Sequence, residues 1–431
     1  MVLGFVGRNK VTESAHPSDK GEQSWLNFSK IIQRVKLYRN LCEAVIQGLE
    51  LIFVENKYAD KVIEKTLKQN PKWGARDRRF IAETTYDIVR WYRLFKHLTG
   101  SEEDNYWQLL GAWCIWNKVD LLRWTEFEGM DTKKFWENYN QVKNTRRIRE
   151  SFPDWLDELC SKELGERWNK ECSALNEPAN VVLRVNTLKI SKAELQRQLE
   201  KEETIETESL ASFPDALYLA ERQNIFTRQS FRDGLFEIQD AGSQLIAPFL
   251  RPEPGLRVID ACAGGGGKTL HLASLMKNKG RIIALDTEAW KLEELKKRAR
   301  RAGASNIETR IIDSSKVIKR LENSVDRLLL DVPCSGLGVL KRNPDAKWKL
   351  SLEFIESVKA LQKKIVMDYS VMLKPQGLMV YSTCSLLPSE NEEQVKNFLT
   401  LQEGKYELLE ERRTYPSEGV DGFYMALMRK H

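Results

Sequence analysis

The amino-acid sequence predicts an α/β protein whose C-terminal part is a parallel, doubly wound sheet preceded by a helical region. Short apolar runs alternate with helical stretches from about residue 236 onward, which indicates strands joined by crossover helices. Before residue 123 the apolar residues recur at helical spacing, as they do between residues 77 and 95. A turn with four consecutive glycines follows the first C-terminal strand and leads directly into a helix. Such a turn lies at the edge of the sheet where α/β proteins bind ligands.

The strands and helices of the C-terminal part are predicted from their apolar patterns, taken in chain order. Short, mostly apolar runs mark the strands, and longer stretches with helical spacing mark the helices. The predicted strands are 256–262, 281–286, 307–312, 325–331, 378–383 and 422–428, and the predicted helices are 268–277, 288–302 and 352–373.

The length of 431 residues is too great for one ordinary core, and changes in composition divide the chain into four segments. A basic stretch at 143–149 ends the helical region. A β-rich run at 180–188, a helix at 192–200 and a strand at 216–220 then indicate a small α/β module. The predicted segments are a flexible tail at 1–24, a helical domain at 25–145, a small α/β linking module at 146–235 and the sheet domain at 236–431.

The composition is that of a globular protein with a mildly basic charge. The net charge of +6 permits a polyanionic partner without requiring one. Seven cysteines without paired spacing, and only four histidines, predict neither a disulfide framework nor a metal site. The most apolar early run, 41–54, contains two glutamates and a glutamine, so it is not expected to span a membrane. We therefore expect a cytoplasmic protein with free thiols.

The glycine-rich turn at 260–269 is the candidate cofactor site. The glycines from Gly264 to Gly267 allow a ligand to approach the backbone, and the helix that follows offers free amide donors. A phosphate-binding P-loop requires glycine where Cys262 stands. A dinucleotide fingerprint requires a small residue where Lys268 stands. The turn therefore matches neither pattern.

Two acidic residues after the next strands narrow the choice of ligand. Asp286 ends the second strand, where a carboxylate can accept from both ribose hydroxyls. Asp313 follows the third strand, where it can accept from an adenine amino group. Each aspartate alone is more typical of a helix N-cap. Together with the glycine turn they suit an adenosine ligand without phosphates, which is S-adenosylmethionine.

Two cysteines follow two later strands of the same sheet. Cys334 stands three residues after Asp331 at the end of one strand, and Cys384 follows the strand at 378–383. Ligands bind at the carboxyl ends of strands in an α/β sheet. Either cysteine alone is more typical of a small core residue. Two thiols and a carboxylate that face one crevice indicate a reaction centre.

A combination of motifs identifies a known family. They are Asp260–Thr269, Asp331–Gly336, Asn343–Trp348, Tyr381–Ser385 with Glu390-Asn391, Asp421–Tyr424, and upstream Leu183–Thr187 and Phe236–Ser243. These motifs resemble the RsmB-like (Sun-type) RNA cytosine-5 methyltransferases, in the branch that acts on ribosomal RNA. The helical segment, with Arg76-Asp-Arg-Arg79, is similar to the NusB-like RNA-binding domain of that branch. The family usually has Ala-Pro where this chain has Gly264-Gly265, so we expect a more flexible cofactor turn.

The resemblance implies a Rossmann-like methyltransferase domain that uses S-adenosylmethionine to make 5-methylcytosine in RNA. It implies that Cys384 attacks carbon 6 of cytosine, that Asp331 holds the base and that Cys334 assists release. Attack by a thiolate activates carbon 5, which is otherwise a poor nucleophile. The reverse assignment, with Cys334 as the nucleophile as in DNA methyltransferases, stays open. The residues expected to bind the cofactor are Cys262, Ala263, Gly264, Gly265, Gly266, Gly267, Lys268, Asp286, Asp313 and Asp331.

RNA contacts are expected at basic residues near the reaction centre. Arg184 in the small module, and Lys341 and Arg342 after the Cys334 loop, are candidate substrate-binding residues, although such charges are also typical of a solvated surface. The target base must be unstacked to enter the crevice, which favours single-stranded RNA. The expected substrate is small-subunit ribosomal RNA, bound by a monomer. The alternatives are a transfer-RNA cytosine-5 methyltransferase and a non-catalytic RNA-binding assembly factor on the same fold.

Overall fold

A computed structural model describes residues 36–100 and 104–431, which form two compact units. The first unit ends at Ser151 and the second begins at Phe152. The predicted flexible tail at 1–24 lies outside the described residues. The other predicted segment boundaries, near 145 and 235, stay predictions.

The first unit is helical, as the sequence predicted. Its helices bury apolar faces, so that Val45 and Leu49 of the first helix are fully buried. The charged stretch 76–79 lies in the first turn of the third helix, where the carboxylate of Asp77 accepts a hydrogen bond from the Gly74 amide at 3.1 Å. The helices are α1 (Arg39–Phe53), α2 (Ala59–Gln69), α3 (Ala75–Arg90), α4 (Tyr92–Thr99), α5 (Tyr106–Trp116), α6 (Thr132–Val142) and α7 (Arg146–Arg149).

The second unit begins with two helices and a small antiparallel sheet in the order β2-β3-β1-β4. Helix α10 starts at a capping box formed by Ser191 and Glu194, and it buries Leu195 and Leu199 against Leu183 of β1. This is the small α/β module that the sequence predicted. Its elements are α8 (Asp154–Leu164), α9 (Arg167–Ala174), β1 (Val182–Val185), α10 (Lys192–Glu203), β2 (Thr207–Glu208), β3 (Ala216–Leu219), α11 (Gln229–Arg232) and β4 (Phe236–Ile238).

The main sheet has the strand order β10-β11-β9-β8-β5-β6-β7. Strands β5 to β9 are parallel neighbours, which confirms the predicted crossover connections. The strands are β5 (Arg257–Asp260), β6 (Arg281–Asp286), β7 (Ile307–Ile311), β8 (Val325–Asp331), β9 (Leu373–Thr383), β10 (Tyr406–Thr414) and β11 (Phe423–Lys430). The helices around them are α12 (Ala241–Gln244), α13 (Ile246–Phe249), α14 (Gly267–Leu275), α15 (Ala289–Ala302), α16 (Ser315–Lys319), α17 (Ala346–Lys349), α18 (Leu352–Tyr369) and α19 (Glu392–Leu401).

The prediction of an entirely parallel sheet was wrong, because one edge is antiparallel. Strand β11 pairs antiparallel with β9, and β10 pairs antiparallel with β11. The connection between β10 and β11 spans only residues 415–422, which is too short for a crossover helix. The sheet is therefore mixed, within a fold class that is otherwise as predicted.

Alternating residues of the central strands build a core on each face of the main sheet. Leu328 and Leu330 of β8 pack in one apolar cluster, and Leu329 between them packs in the other. This alternation fixes the strand register, because a slip of one residue would exchange the two faces. Within the described part of the chain, every helix is too short or too polar to cross a bilayer.

Candidate active site

The candidate site lies where the parallel strands of the main sheet end. Strands β5, β6, β8 and β9 all deliver their carboxyl ends to the same edge, with Asp260 opposite Ala284 and Asp331 opposite Ser382. The glycine turn follows β5, and the two cysteine loops follow β8 and β9. The sequence-predicted groups therefore meet at one edge of one sheet.

The glycine turn is held by hydrogen bonds to its first two glycines. The Gly264 amide donates to Asp286 Oδ2 at 2.8 Å, and Arg298 Nη1 donates to the Gly265 carbonyl at 2.6 Å. Gly264 and Gly266 have φ values of 52° and 87°, a left-handed conformation that only glycine adopts without strain. A Cβ on Gly266 would lie 2.5 Å from Leu295 Cγ, so this glycine also allows α15 to pack closely. The expectation of a more flexible turn stays a prediction.

The acidic residues around the turn have different surroundings. Asp286 is largely buried, and its Oδ1 accepts from the Glu288 amide at 2.9 Å. Asp313 is exposed after β7 and accepts a hydrogen bond from the Ser314 hydroxyl. Asp260 accepts from Thr269 Oγ1 at 2.7 Å through Oδ2, while its Oδ1 is buried without a partner among the described residues. Burial raises the pKa of Asp260 to about 7.

Two further predicted cofactor residues, Cys262 and Ala263, lie between β5 and the glycines. Cys262 packs against the apolar cluster on one face of the sheet, and its burial raises the pKa of its thiol. Ala263 is buried, and its amide donates to the Leu285 carbonyl at 2.9 Å. Both residues join the turn to the sheet, and their binding of the cofactor stays a prediction.

The two thiols of the predicted reaction centre are neighbours. Cys334 Sγ lies 3.1 Å from Cys384 Sγ, and the Cys384 amide donates to Cys334 Sγ at 3.3 Å. Both cysteines are free and partly exposed. The hydrogen bond with Cys384, together with burial, raises the pKa of Cys334 well above its ordinary value.

A lysine from the cofactor turn reaches the carboxylate of the reaction centre. Lys268 Nζ lies 2.6 Å from Asp331 Oδ2, and Ser382 Oγ donates to Asp331 Oδ1 at 2.9 Å. Burial alone would lower the pKa of Lys268, but the charge of Asp331, the hydrogen bond to it and the other negative charges nearby together outweigh burial, and the pKa is raised. These contacts hold the carboxylate in place and link the turn after β5 to the ends of β8 and β9.

Sequence reasoning missed a buried carboxylate that joins the two cysteine loops. Glu390 is fully buried, and its Oε1 accepts from the Ser335 amide at 2.8 Å and from Gln362 Nε2 at 3.0 Å. Its Oε2 accepts from the hydroxyls of Ser335 and Ser385. The Glu390-Asn391 pair was a signal in the sequence, but no pattern could connect it with Gln362 of α18.

Arg184 does not lie on the surface where RNA contact was predicted. It is 2% exposed, and its guanidinium donates to Gln239 and to the Gly267 carbonyl. Arg184 therefore supports the glycine turn through its hydrogen bond to the Gly267 carbonyl. RNA binding by Arg184 stays a prediction, and its burial favours this structural role.

Lys341 and Arg342 are likewise engaged with protein groups. Lys341 is buried, and its Nζ donates to the Pro416 carbonyl at 2.9 Å. Arg342 pairs with Asp240 at 3.0 Å and with Asp421 at 2.6 Å. RNA binding by these two residues also stays a prediction, although their contacts favour a role in fastening loops around the site.

Comparison with known proteins decides the family. The profile described as 16S rRNA methyltransferase RsmB/F matches residues 247–429, and the Methyltr_RsmF/B-like, ferredoxin-like domain matches residues 152–226. A protein named "Probable ribosomal RNA small subunit methyltransferase B" from Synechocystis sp. is 32% identical over 382 residues, which cover 80% of this chain and 85% of the relative. The chain belongs to the ribosomal RNA small subunit methyltransferase B family.

Solved structures agree with this assignment to the RsmB family. A methyltransferase homolog protein from Pyrococcus horikoshii is 31% identical and aligns with a TM-score of 0.59, covering 66% of this chain and 98% of that chain. A protein named PH0851 is 25% identical and aligns with a TM-score of 0.76, covering 92% of this chain and 100% of that chain. The protein is therefore an S-adenosylmethionine-dependent RNA methyltransferase with a Rossmann-like sheet.

The glycine turn of this RsmB-family protein fits the methyl donor. A Cβ on Gly264 or Gly267 would meet nothing within 4 Å, so the turn has an open side that a ligand can approach. Asp286 at the end of β6 has carboxylate lone pairs beyond those used by two backbone amides. The described residues contain no group of three or more His, Cys, Asp or Glu side chains arranged to hold a metal ion.

Proposed function

We propose that this protein methylates carbon 5 of cytosine in small-subunit ribosomal RNA, with Cys384 as the nucleophile. The observation that supports this chemistry most strongly is the pair of thiols, 3.1 Å apart, beside the carboxylate of Asp331. Membership of the small-subunit ribosomal RNA methyltransferase B family supports the choice of substrate. A lone thiol would serve many reactions, but two thiols and a fixed carboxylate suit covalent activation of a pyrimidine.

The hydrogen bonds of the two sulfurs favour Cys384 over Cys334 as the nucleophile. The Cys384 amide can only donate, so Cys334 Sγ accepts from it. Either sulfur could donate in the contact between the two thiols. The hydrogen bond with Cys384 and burial raise the pKa of Cys334, so Cys334 keeps its proton and its S–H group can donate to a thiolate at Cys384.

The reaction begins when the Cys384 thiolate adds to carbon 6 of an unstacked cytosine. A new C–S bond forms, and the electrons of the C5=C6 double bond become available at carbon 5. Asp331, held by Lys268 and Ser382, contacts the nitrogen edge of the base and fixes its orientation. S-adenosylmethionine, when bound, supplies the electrophilic methyl group that carbon 5 requires.

Release of the product reverses the addition. After methylation carbon 5 loses its proton to solvent, the electrons of that C–H bond restore the C5=C6 double bond, and the C6–S bond breaks. The sulfur leaves as the Cys384 thiolate. The S–H group of Cys334, 3.1 Å away, stabilises that leaving group by donating a hydrogen bond to it.

The proposed cofactor contacts follow the order of the strands. The open side of the turn at Gly264 and Gly267 takes the methionine part, Asp286 accepts from the ribose hydroxyls, and Asp313 accepts from the adenine amino group. Lys268 keeps its charge paired with Asp331 and so joins the cofactor turn to the residue that orients the base. Cys262 and Ala263 anchor the turn to β5.

The decisive experiment compares three single variants of the full chain with the unchanged protein. Each is incubated with S-adenosylmethionine and unmodified small-subunit ribosomal RNA, and covalent protein–RNA adducts are resolved on denaturing gels. We expect Cys334→Ala to accumulate the adduct, because product release is slowed, and Cys384→Ala to form no adduct and transfer no methyl group. Cys172→Ala, which removes a buried packing thiol, should behave as the unchanged protein.

Other outcomes would change the proposal in defined ways. An adduct that needs Cys334 and survives the loss of Cys384 would reverse the two roles. Methylation of transfer RNA but not of ribosomal RNA would retain the chemistry and change the substrate. No adduct and no methyl transfer by any of the proteins, on either RNA, would reject the proposed reaction.

A further inference from the structure

A buried carboxylate joins the two loops that carry the thiols, and the proposed reaction does not use it. Glu390 is fully buried although carboxylates are rarely buried unless their hydrogen bonds are satisfied. Four donors converge on it: the Ser335 amide and hydroxyl, the Ser385 hydroxyl and Gln362 Nε2. Ser335 and Ser385 directly follow the two cysteines in the sequence.

The four donors come from three different elements. Ser335 belongs to the loop after β8, Ser385 belongs to the loop after β9, and Gln362 lies on α18. Gln362 Nε2 also donates to the Pro333 carbonyl at 2.9 Å, on the other side of Cys334. A single carboxylate therefore holds the residues that follow Cys334 and Cys384 directly, and it holds Pro333, before Cys334, through Gln362.

The charge of this carboxylate also acts on one thiol. Glu390 is among the groups that raise the pKa of Cys334, after the hydrogen bond with Cys384, burial and the charge of Cys384. Tyr381 also lies near this thiol, and burial raises the pKa of Tyr381, so it stays neutral. A negative charge beside Cys334 disfavours a second thiolate there.

We propose that Glu390 is a positioning residue that holds the two thiols in contact and keeps Cys334 protonated. Cys334 then remains the hydrogen-bond donor and Cys384 the sulfur that carries the negative charge. The catalytic part of this inference rests on the proposed cytosine-5 reaction. The positional and electrostatic part concerns the protein alone and can be measured without RNA or cofactor.

The first arm of the test measures alkylation of Cys334 by iodoacetamide as a function of pH, with the modified peptide quantified by mass spectrometry. All proteins in this arm carry Cys384→Ala, so that alkylation of Cys334 is measured without the neighbouring thiol. We expect Glu390→Gln to move the alkylation profile of Cys334 to lower pH by about one unit, because a neighbouring negative charge is lost. An unmoved profile would overturn the electrostatic role.

The chain offers a matched control for this substitution. Glu171 is also fully buried, and it holds Ser417 as Glu390 holds Ser335, through the amide at 2.9 Å and the hydroxyl at 2.8 Å. Glu171→Gln should therefore disturb folding about as much as Glu390→Gln, as measured by urea unfolding. It should leave the alkylation profile of Cys334 in place, and an equal shift in this control would overturn the proposal.

The second arm measures methyl transfer with both cysteines present. We expect Glu390→Gln to lower kcat by about tenfold or more at neutral pH, with KM for RNA changed by less than about twofold, because the thiols are affected and RNA binding is not. Glu171→Gln should stay within about twofold of the unchanged protein in both constants. Equal loss in the two variants would indicate a structural effect and overturn the positioning role.

A second variant covers the case in which Glu390→Gln does not fold. Ser385→Ala removes the hydroxyl that donates to Glu390, contacts the Ser335 hydroxyl and accepts from the Leu387 amide, and it retains the charge of Glu390. It should lower kcat by about fivefold while the alkylation profile of Cys334 stays in place. Unchanged kcat would overturn the positioning role.

If the unchanged protein formed no adduct and transferred no methyl group, the proposed reaction would fail, while the alkylation arm would still decide the role of Glu390.

Discussion

The glycine turn permits a graded prediction, because its glycines differ in conformation and in the space around them. Gly267 has an ordinary φ and an open side, Gly264 has a φ of 52° and an open side, and Gly266 has a φ of 87° and a crowded side. Replacing each by alanine separates backbone strain, steric overlap and exclusion of the ligand. The three substitutions remove the same kind of residue within four positions of the chain.

The expected changes in the free energy of unfolding follow from these differences. Gly264→Ala should lose about 1–2 kcal/mol, the cost of a left-handed conformation for a residue with a Cβ. Gly266→Ala adds the overlap with Leu295, for which overpacking costs about 1–3 kcal/mol, so the total is about 2–5 kcal/mol. Gly267→Ala lies at the start of α14 and should lose nothing.

Urea unfolding and calorimetric binding of S-adenosylhomocysteine measure the two effects separately. Gly267→Ala should fold normally yet bind the ligand at least about tenfold more weakly, because its new methyl group enters the open side of the turn. The reasoning about backbone strain is refuted if Gly266→Ala is as stable as Gly267→Ala. The proposed position of the cofactor is refuted if Gly267→Ala binds the ligand with unchanged affinity.

Two further predictions concern charged groups near the site. Arg342→Gln should lower the free energy of unfolding by about 3 kcal/mol, because the buried carboxylate of Asp421 loses its ion-pair partner and Asp240 keeps only its backbone-amide donors. The salt dependence of RNA binding should be unchanged, and a slope reduced by about one would instead indicate a lost phosphate contact. Burial raises the pKa of Asp260 from 3.8 to about 7, so the unfolded chain releases its proton first as the pH rises. This residue should therefore lower the free energy of unfolding by about 3 kcal/mol between pH 4 and pH 7. Urea titrations should show that Asp260→Asn lacks this part of the decrease, and a difference between the two proteins that is constant with pH would contradict it.

The sequence predicted the central strands well because they are buried on both faces. Strands β5, β6 and β8 were each predicted within a residue or two, since the buried apolar residues at their centres leave few alternatives. Strand β10 was missed because it is an edge strand whose central residues are exposed and mostly charged. The helix predicted at 352–373 ends at Tyr369 in the structure. The prediction was too long because the apolar spacing of α18 continues into β9 without a break.

The candidate site was predicted by its motifs and not by its contacts. The positions of Cys334 and Cys384 after two strands indicated a common edge, but only the fold brings their sulfurs to 3.1 Å. Arg184 was predicted to contact RNA. Its burial could not be predicted, because the Gly267 carbonyl that accepts its hydrogen bond is 83 residues away in the sequence. Glu390 had no predicted role for the same reason, since its hydrogen-bond partners include Ser335, 55 residues earlier.

The meeting of the two thiols depends on the register between β8 and β9. Asp331 pairs with Ser382 across these parallel strands, so the chains leave the sheet at neighbouring points about 4.8 Å apart. Cys334 and Cys384 follow within three residues, which keeps both sulfurs close to that point. A slip of one residue would turn Ser382 away from Asp331 and exchange the buried faces of β9. The apolar core of the sheet therefore sets the geometry of the reaction centre, and Glu390 secures the loops only after that register exists.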